Sequence, residues 1–208
     1  MLVRRLFATL ICCLGLPLVT HAADAENQEI DWPCVQVMVP EVSAAVVWAG
    51  PPITELQENW WEIDDVNKLV QRLIAPDFDQ DRADTEIAEF AAKLKPPRKD
   101  PMLTLLFAGV LESLNNDRKK MFDGIWRYAR GQAERANRLG DDLDEIIRLE
   151  SDTSAAAKSR LEMIQKEMEI KQRMFDERET FIQHLCTRPA VIEQKLGSLA
   201  RAIAYYLD

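Results

Sequence analysis

The stretch that decides the fold is residues 102–186, MLTLLFAGVLESLNNDRKKMFDGIWRYARGQAERANRLGDDLDEIIRLESDTSAAAKSRLEMIQKEMEIKQRMFDERETFIQHLC. Apolar residues recur along it mostly at steps of three or four, first up to about residue 150 and again after the polar run 151–154. This period is typical of amphipathic α-helices, and the polar run favours a turn. We therefore expect two long helices folded into an antiparallel hairpin, the first of which starts at Asp100-Pro101.

The two arms of this hairpin have unequal lengths. At 1.5 Å per residue the first arm would reach about 75 Å, and the second about 50 Å if it ends at Arg188-Pro189. The excess, residues 102–117, is apolar on nearly every side, which indicates that other helices bury it. A break of the first arm at Gly140 stays open as an alternative. The sequence thus predicts an all-α fold with a small base of helices near 54–75, 85–95, 102–117 and 189–207, and a projecting coiled-coil hairpin at about 118–186.

Local signals place the first base helices. Thr54 and Gln57 match a capping box, so we expect a helix to begin there and to end before Pro76. The acidic run 77–84 precedes the second helix and would cap it through Asp81 or Asp84. The proline-rich run 95–101 is expected to be a stiff linker into the long arm.

Residues 1–22 have the pattern of a secretory signal peptide. Arg4 and Arg5 precede an apolar run, 6–19, and small residues near Ala22 suit cleavage. The apolar run is short for a membrane span, so we expect no stable anchor after cleavage. The sequence therefore predicts a single α-helical domain, 23–208, in the periplasm or secreted.

The chain is acidic. Without Arg4 and Arg5, 24 of its 26 lysine and arginine residues remain against 35 acidic residues, a formal net charge of −11. Such a chain is a poor candidate for binding nucleic acid or anionic lipid surfaces.

Residues 23–53 contain four prolines and alternating valines, which favour an extended strap across the base. Trp32 and Trp48 are expected to anchor it by packing, although they are also candidate partner-docking residues. After cleavage only Cys34, in the strap, and Cys186, at the end of the hairpin, remain, and an oxidising compartment favours their pairing over the alternatives, an intermolecular bridge or two free thiols. Such a bridge would stabilise the fold by about 4 to 5 kcal/mol in the chain-entropy model.

Positive charge is concentrated in one part of the hairpin. Residues 118–140 carry 7 basic and 2 acidic side chains, whereas residues 23–100 carry 7 basic and 17 acidic side chains. One interpretation is a solvated helical face with ion pairs to the return arm. The other is a docking surface for an acidic partner, with candidate residues Arg127, Arg130, Arg135 and Arg138.

The sequence offers no familiar catalytic or metal-binding motif. Asp77, Asp79 and Asp81 resemble the start of an EF-hand loop, but Arg82 replaces its glycine and Ala88 its bidentate carboxylate. His184 and Cys186 lie about 200° apart on a helix, so they cannot form a nucleophile and base pair. We therefore expect no enzyme activity, no cofactor and no bound metal.

These features predict an exported helical interaction protein. Its expected role is that of a scaffold, adaptor or assembly factor for a protein partner in the cell envelope, and a homo-oligomer is an open possibility. The alternative is a holdase-type chaperone that binds unfolded clients along the hairpin through adaptable methionine and aromatic side chains. An enzyme of unknown class is the outside case.

Overall fold

A computed structural model describes residues 32–77 and 79–208. Across these residues the secondary structure is α-helical and 3₁₀-helical with no strand, so the all-α class is confirmed. The five α-helices are α1 (Ala44–Val47), α2 (Asp64–Ile74), α3 (Gln80–Lys93), α4 (Lys99–Glu150) and α5 (Ala155–Ala204). The predicted signal peptide, 1–22, and residues 23–31 of the predicted strap lie outside the described residues.

The main core lies where α2, α3, the first turns of α4 and the last turns of α5 meet. Residues 102–107 of α4 are all buried, as expected for a helix that is apolar on nearly every side. Phe107 is fully buried and stacks on Trp48, with ring centroids 4.1 Å apart. The other fully buried large side chains of this core are Val66, Leu69, Leu73, Ile87, Leu103, Leu106, Leu196, Leu199 and Ile203.

The helix predicted to begin at Thr54 begins ten residues later, at Asp64. Two short 3₁₀ turns, Ile53–Glu55 and Trp60–Glu62, occupy the intervening chain, and Gln57 donates to the Glu55 carbonyl instead of closing a capping box. The physical reason is tertiary packing: Trp60 reaches Gly109 of α4, where a Cβ would stand only 2.8 Å from the indole ring. Its Nε1 also donates to Glu112 at 2.8 Å.

The predicted start of the second base helix, near 85, is also wrong. α3 begins at Gln80 because Asp79, and neither Asp81 nor Asp84, caps it by accepting from the backbone N–H of Arg82 at 2.8 Å. α4 begins at Lys99, which places Asp100 inside the first turn instead of at the N-cap. It runs to Glu150 without a break at Gly140.

The predicted stop at Pro189 and the separate helix 189–207 are wrong, because α5 continues through Pro189 to Ala204. Proline removes one N–H from a helix and normally ends or kinks it. Here polar side chains bind carbonyls beside the interruption. Gln36 donates to the Cys186 carbonyl, and Arg118 donates to the Pro189 carbonyl at 2.9 Å.

α4 and α5 pack antiparallel along their lengths. Ser154 caps α5 by accepting from the N–H of Ala157 at 3.2 Å, and the turn between the helices is Ser151–Ser154. Near the turn Arg160 binds Glu145 at 2.7 Å, and farther along Lys171 binds Asp142 at 2.7 Å. Toward the core the Tyr128 hydroxyl donates to the Arg178 carbonyl at 3.2 Å.

Arg118 holds three segments together from a buried position in α4. Its side chain is 3 % exposed, and its guanidinium donates to the Val39 carbonyl at 2.8 Å, to the Pro189 carbonyl and to the carboxylate of Glu193. It also lies over the Phe122 ring, 5.1 Å from the centroid. The bond to the Pro189 carbonyl is buried, so losing its donor there would be costly.

We expect Arg118→Met to lower the free energy of unfolding by about 3 kcal/mol, since it removes the buried guanidinium whose hydrogen bonds and ion pair join three segments. Urea denaturation followed by circular dichroism measures this loss. The matched control is Lys119→Met, because Lys119 is 62 % exposed and pairs with Glu41 only at 4.0 Å; its effect should lie within about 0.5 kcal/mol. Equal effects of the two substitutions would contradict the role assigned to Arg118.

The contact between α2 and α3 depends on pH. The Arg72 guanidinium, 2.6 Å from the carboxylate of Glu86, holds the pKa of Glu86 below its usual value, and Arg82 adds a second hydrogen bond at 3.1 Å. Because the folded pKa is lowered, this stabilisation is present above the ordinary glutamate pKa of about 4.3 and disappears as the pH falls through the folded value.

We therefore expect Glu86→Gln to lower stability at pH 6 and to have a much smaller effect at pH 3. Urea titrations of both proteins at the two pH values measure the difference. A loss that is the same at both pH values would show that packing, and not the carboxylate charge, accounts for it.

Candidate functional site

Residues 32–48 lie along one side of α4. Trp32 packs against Phe122 and Trp126, with ring centroids 5.3 Å and 6.1 Å away. The Trp126 Nε1 lies 3.1 Å from the Met38 sulfur, and the Asn115 side chain bonds the backbone of Val42 through both its oxygen and its nitrogen. The segment therefore follows a stripe of α4 whose members recur at three- or four-residue steps, Asn115, Arg118, Phe122 and Trp126.

A disulfide fastens this segment to α5. The Sγ atoms of Cys34 and Cys186 lie 1.99 Å apart, and both residues are buried in a small cluster with Ile125 and Ile182. The pair is the one that the cysteine count predicts. The two partners are 152 residues apart in the chain, so the bridge closes a very long loop.

We expect the chain beginning at Ala23 to show no reactive thiol when denatured without reductant, and two after reduction. Replacing both cysteines with serine should lower the free energy of unfolding by up to about 5 kcal/mol, the chain-entropy value for a loop of this length. Thiol labelling read by mass spectrometry and urea denaturation make the two measurements. Two labelled thiols before reduction would rule the bridge out.

The opposite side of the α4–α5 pair is open. Residues two apart on a helix face sides about 200° apart. On α4, Gly124 therefore faces away from Phe122, which packs against Trp32. On α5, Arg188 likewise faces away from Cys186, which forms the disulfide. On the open side a groove of about 920 Å³ lies between the two helices and the end of α2. We call it the apolar groove, after the apolar residues and glycine that line it between the helices: Leu114, Met121, Gly124, Ile125, Tyr128, Phe181, Leu185, Val191 and Ile192.

Charged side chains surround the apolar groove. Lys120 and Asp117 form an ion pair at 3.2 Å, and Arg188 pairs with no carboxylate of the described residues. Lys195 donates to the Ala75 carbonyl at 2.9 Å, and burial lowers the pKa of its ammonium. The groove therefore combines an apolar wall with a rim of positive charge.

A second groove of about 320 Å³ lies nearer the turn on the same side. Residues seven apart, about two turns, lie on nearly the same side of a helix. Tyr128 and Phe181 line the first groove, and Arg135 and Met174, each seven residues away on the same helix, line the second. The two grooves therefore lie in line. We call it the basic groove. It is lined by Arg135, Arg138, Leu139, Asp141, Asp142, Lys171, Met174, Phe175 and Arg178.

The four candidate docking arginines do not lie on one surface. Arg135 and Arg138 line the basic groove, whereas Arg130 lies over the Trp126 ring, 5.3 Å from its centroid, and Arg127 lines neither groove. None of the four forms an ion pair with a described carboxylate. At these four positions the structure therefore gives no support to the interpretation of a solvated helical face with ion pairs to the return arm.

Trp32 and Trp48, the other two candidate docking residues, are half-buried in contacts within the chain. Trp32 donates its Nε1 to the Gln36 carbonyl, and Trp48 donates to the Pro51 carbonyl, each at 2.8 Å. The alternating valines have the opposite placement: Val35 and Val37 are exposed, while their neighbour Gln36 reaches α5. The sequence pattern suggested an extended segment but could not tell which of its sides faces the helices.

An exposed apolar stripe continues along α5. Met163, Ile170, Met174 and Phe181 are each about half exposed and recur at steps of seven, four and seven residues. Ile164 directly follows Met163, and Ile182 directly follows Phe181. Both isoleucines are buried against α4. Adjacent residues of a helix point about 100° apart, so α5 has two apolar stripes, and α4 covers only one of them.

Among the described residues no group of three or more histidine, cysteine or carboxylate side chains is placed to hold a metal ion. None of the helices in the same part of the chain is long and apolar enough to cross a membrane.

Comparisons with protein-family models, with curated proteins and with solved structures find no match to this chain.

Proposed function

We propose that this protein is a non-enzymatic interaction protein of the cell envelope, which binds a protein partner as a scaffold, adaptor or assembly factor. The open side of the α4–α5 pair is the observation that carries the proposal. It has two grooves in line, an uncovered apolar stripe and arginines without an ion-pair partner among the described residues. Such a combination of apolar surface and positive charge is typical of protein-binding surfaces.

In this proposal the α4–α5 pair acts as a hairpin that projects from the base. The core formed by α2, α3 and the ends of the long helices holds one end of the pair, and the strap covers one side of it up to Trp126. The hairpin beyond that point presents its side chains for binding. The partner would be a protein in the envelope, and a second copy of this chain is the simplest homo-oligomeric case.

The proposed compartment is the periplasm or the outside of the cell. The arginines and apolar run of residues 1–22 support export followed by cleavage near Ala22, and the Cys34–Cys186 disulfide is compatible with an oxidising compartment. Sequencing the N-terminus of the protein isolated from the envelope fraction tests this: a chain that still begins at Met1 would contradict it.

A holdase-type chaperone is the second candidate. The stripe of Met163, Ile170, Met174 and Phe181 favours it, since exposed methionine adapts to many apolar partners. An adaptor would bind a few partners in fixed proportion, whereas a holdase would bind many unfolded clients weakly. This difference makes the two functions separable by experiment.

We expect a photoreactive amino acid at position 181, in the apolar groove, to cross-link the full chain in its native envelope to a few discrete proteins. The same group at position 147 is the matched control, because Ile147 is similarly exposed but lines neither groove. Replacing Arg135 and Arg138 with glutamate should reduce the cross-links from position 181 several-fold, since the basic groove loses positive charge.

Mass spectrometry of the cross-linked products decides between the functions. Discrete products from position 181 alone support the adaptor. A broad set of products from both positions supports the holdase and contradicts the adaptor. The absence of products at both positions would contradict both candidates.

A further inference from the structure

We propose that the apolar and basic grooves together form the binding site for one amphipathic helix of a partner protein, with an apolar stripe flanked by acidic residues. The inference rests on the proposed function and adds to it the chemistry and shape of the partner. It is argued from the form of the surface, its length and its charge.

The form of the surface fits a helix. Two antiparallel helices leave a shallow valley between them, and a third helix fills it when the facing side chains are apolar or small. Met174 and Phe181 of α5 supply the apolar stripe on one wall. On the other wall Gly124 of α4 lies open, since a Cβ added there meets no atom within 4 Å. A partner helix can therefore approach α4 closely at this position.

The length of the surface suits a single helix. On α5 the two grooves extend from Lys171 to Lys195, a span of about 36 Å at 1.5 Å per residue. A helix of about 21 residues is about 32 Å long and would lie in both grooves at once. Tyr128 and Phe181, whose ring centroids are 5.8 Å apart, stand between the grooves and would contact the middle of that helix.

The charge of the surface selects an acidic partner. Seven lysine and arginine residues line the two grooves against three aspartates, a net charge of +4, although the whole chain has a formal net charge of −9. Asp117 and Asp142 already pair with Lys120 and Lys171, which leaves Asp141 as the remaining carboxylate of the grooves.

The positive charge also argues against a second copy bound groove to groove. That arrangement would bring two surfaces of the same sign together, and like charges at an interface reduce affinity. An acidic helix of another protein avoids this repulsion and pairs with arginines such as Arg138, Arg178 and Arg188, whose guanidinium groups form no ion pair with a described carboxylate.

The test uses the full chain, begun at Ala23, and two designed helical peptides of about 21 residues. Both peptides carry the same leucine stripe, flanked by glutamate in one and by lysine in the other. Fluorescence anisotropy of the labelled peptides measures binding at low and high salt. We expect the glutamate peptide to bind at least tenfold more tightly than the lysine peptide, with an affinity that falls as salt screens the charges.

Gly124→Leu fills the apolar groove and should weaken binding of the glutamate peptide at least tenfold. Gly140→Leu is the matched control, because an added Cβ is equally free there and Gly140 lines neither groove. Both substitutions replace a glycine inside α4, so helix propensity changes alike in the two variants. Thermal melts of both confirm that the fold is intact.

Three results would overturn the proposal. They are equal binding of the two peptides, unchanged binding by the Gly124→Leu variant, and a dimer in analytical ultracentrifugation that this variant dissociates, which would make a second copy the occupant. The proposed function is judged separately by the cross-links from position 181. Discrete cross-links without binding of the glutamate peptide would refute the helix site and leave the proposed function standing.

Discussion

The arrangement of the long helices and of residues 32–48, the N-terminal segment, depends on the buried guanidinium of Arg118. A charge inside a protein must be hydrogen-bonded, because the cost of removing it from water reaches several kcal/mol. Arg118 meets this requirement with groups from two other segments, the Val39 carbonyl and the Pro189 and Glu193 oxygens. Any sliding of α4 along α5, or of the segment along α4, would break at least one of these bonds. The register of all three is therefore fixed at one point.

This fixed register explains why the two sides of the helical pair differ. The N-terminal segment covers the side that carries Phe122 and Trp126 and is fastened there by Arg118 and by the disulfide. The other side leaves Met174 and Phe181 about half exposed, and the main core holds the ends of the helices that form its walls. A partner of the kind proposed above would bind such a pre-ordered surface at a lower entropic cost.

Sequence patterns predicted the features that depend on local repetition. The all-α class and the burial of residues 102–107 follow from apolar residues at helical spacing and from their density, and the pairing of Cys34 with Cys186 follows from a count. Two of the errors share one cause. The start assigned to Thr54 and the stop assigned to Pro189 were local signals, and packing by Trp60 and hydrogen bonds from Arg118 and Gln36 overrode them. No local rule contains those distant partners.

The sequence pattern does not single out Arg118 either, because its partners are also distant in the chain. The count of basic residues at 118–140 includes it among side chains expected on the surface. One signal was present: Arg118 lies four residues after Leu114 and four before Phe122, in line with two buried side chains of α4. A charged residue within an apolar stripe predicts a buried polar contact. The grooves are harder to foresee, because they depend on which side of the pair the N-terminal segment takes.

The separation of 152 residues between Cys34 and Cys186 also constrains the order in which this fold can form. In a chain synthesised from its N-terminus, residues 32–48 emerge early, while their anchoring positions on α5 emerge nearly last. Contacts between segments so far apart in the chain form slowly compared with local helices. The contacts of residues 32–48 with α5 therefore require a chain that is almost complete, whereas the helices themselves need only local contacts.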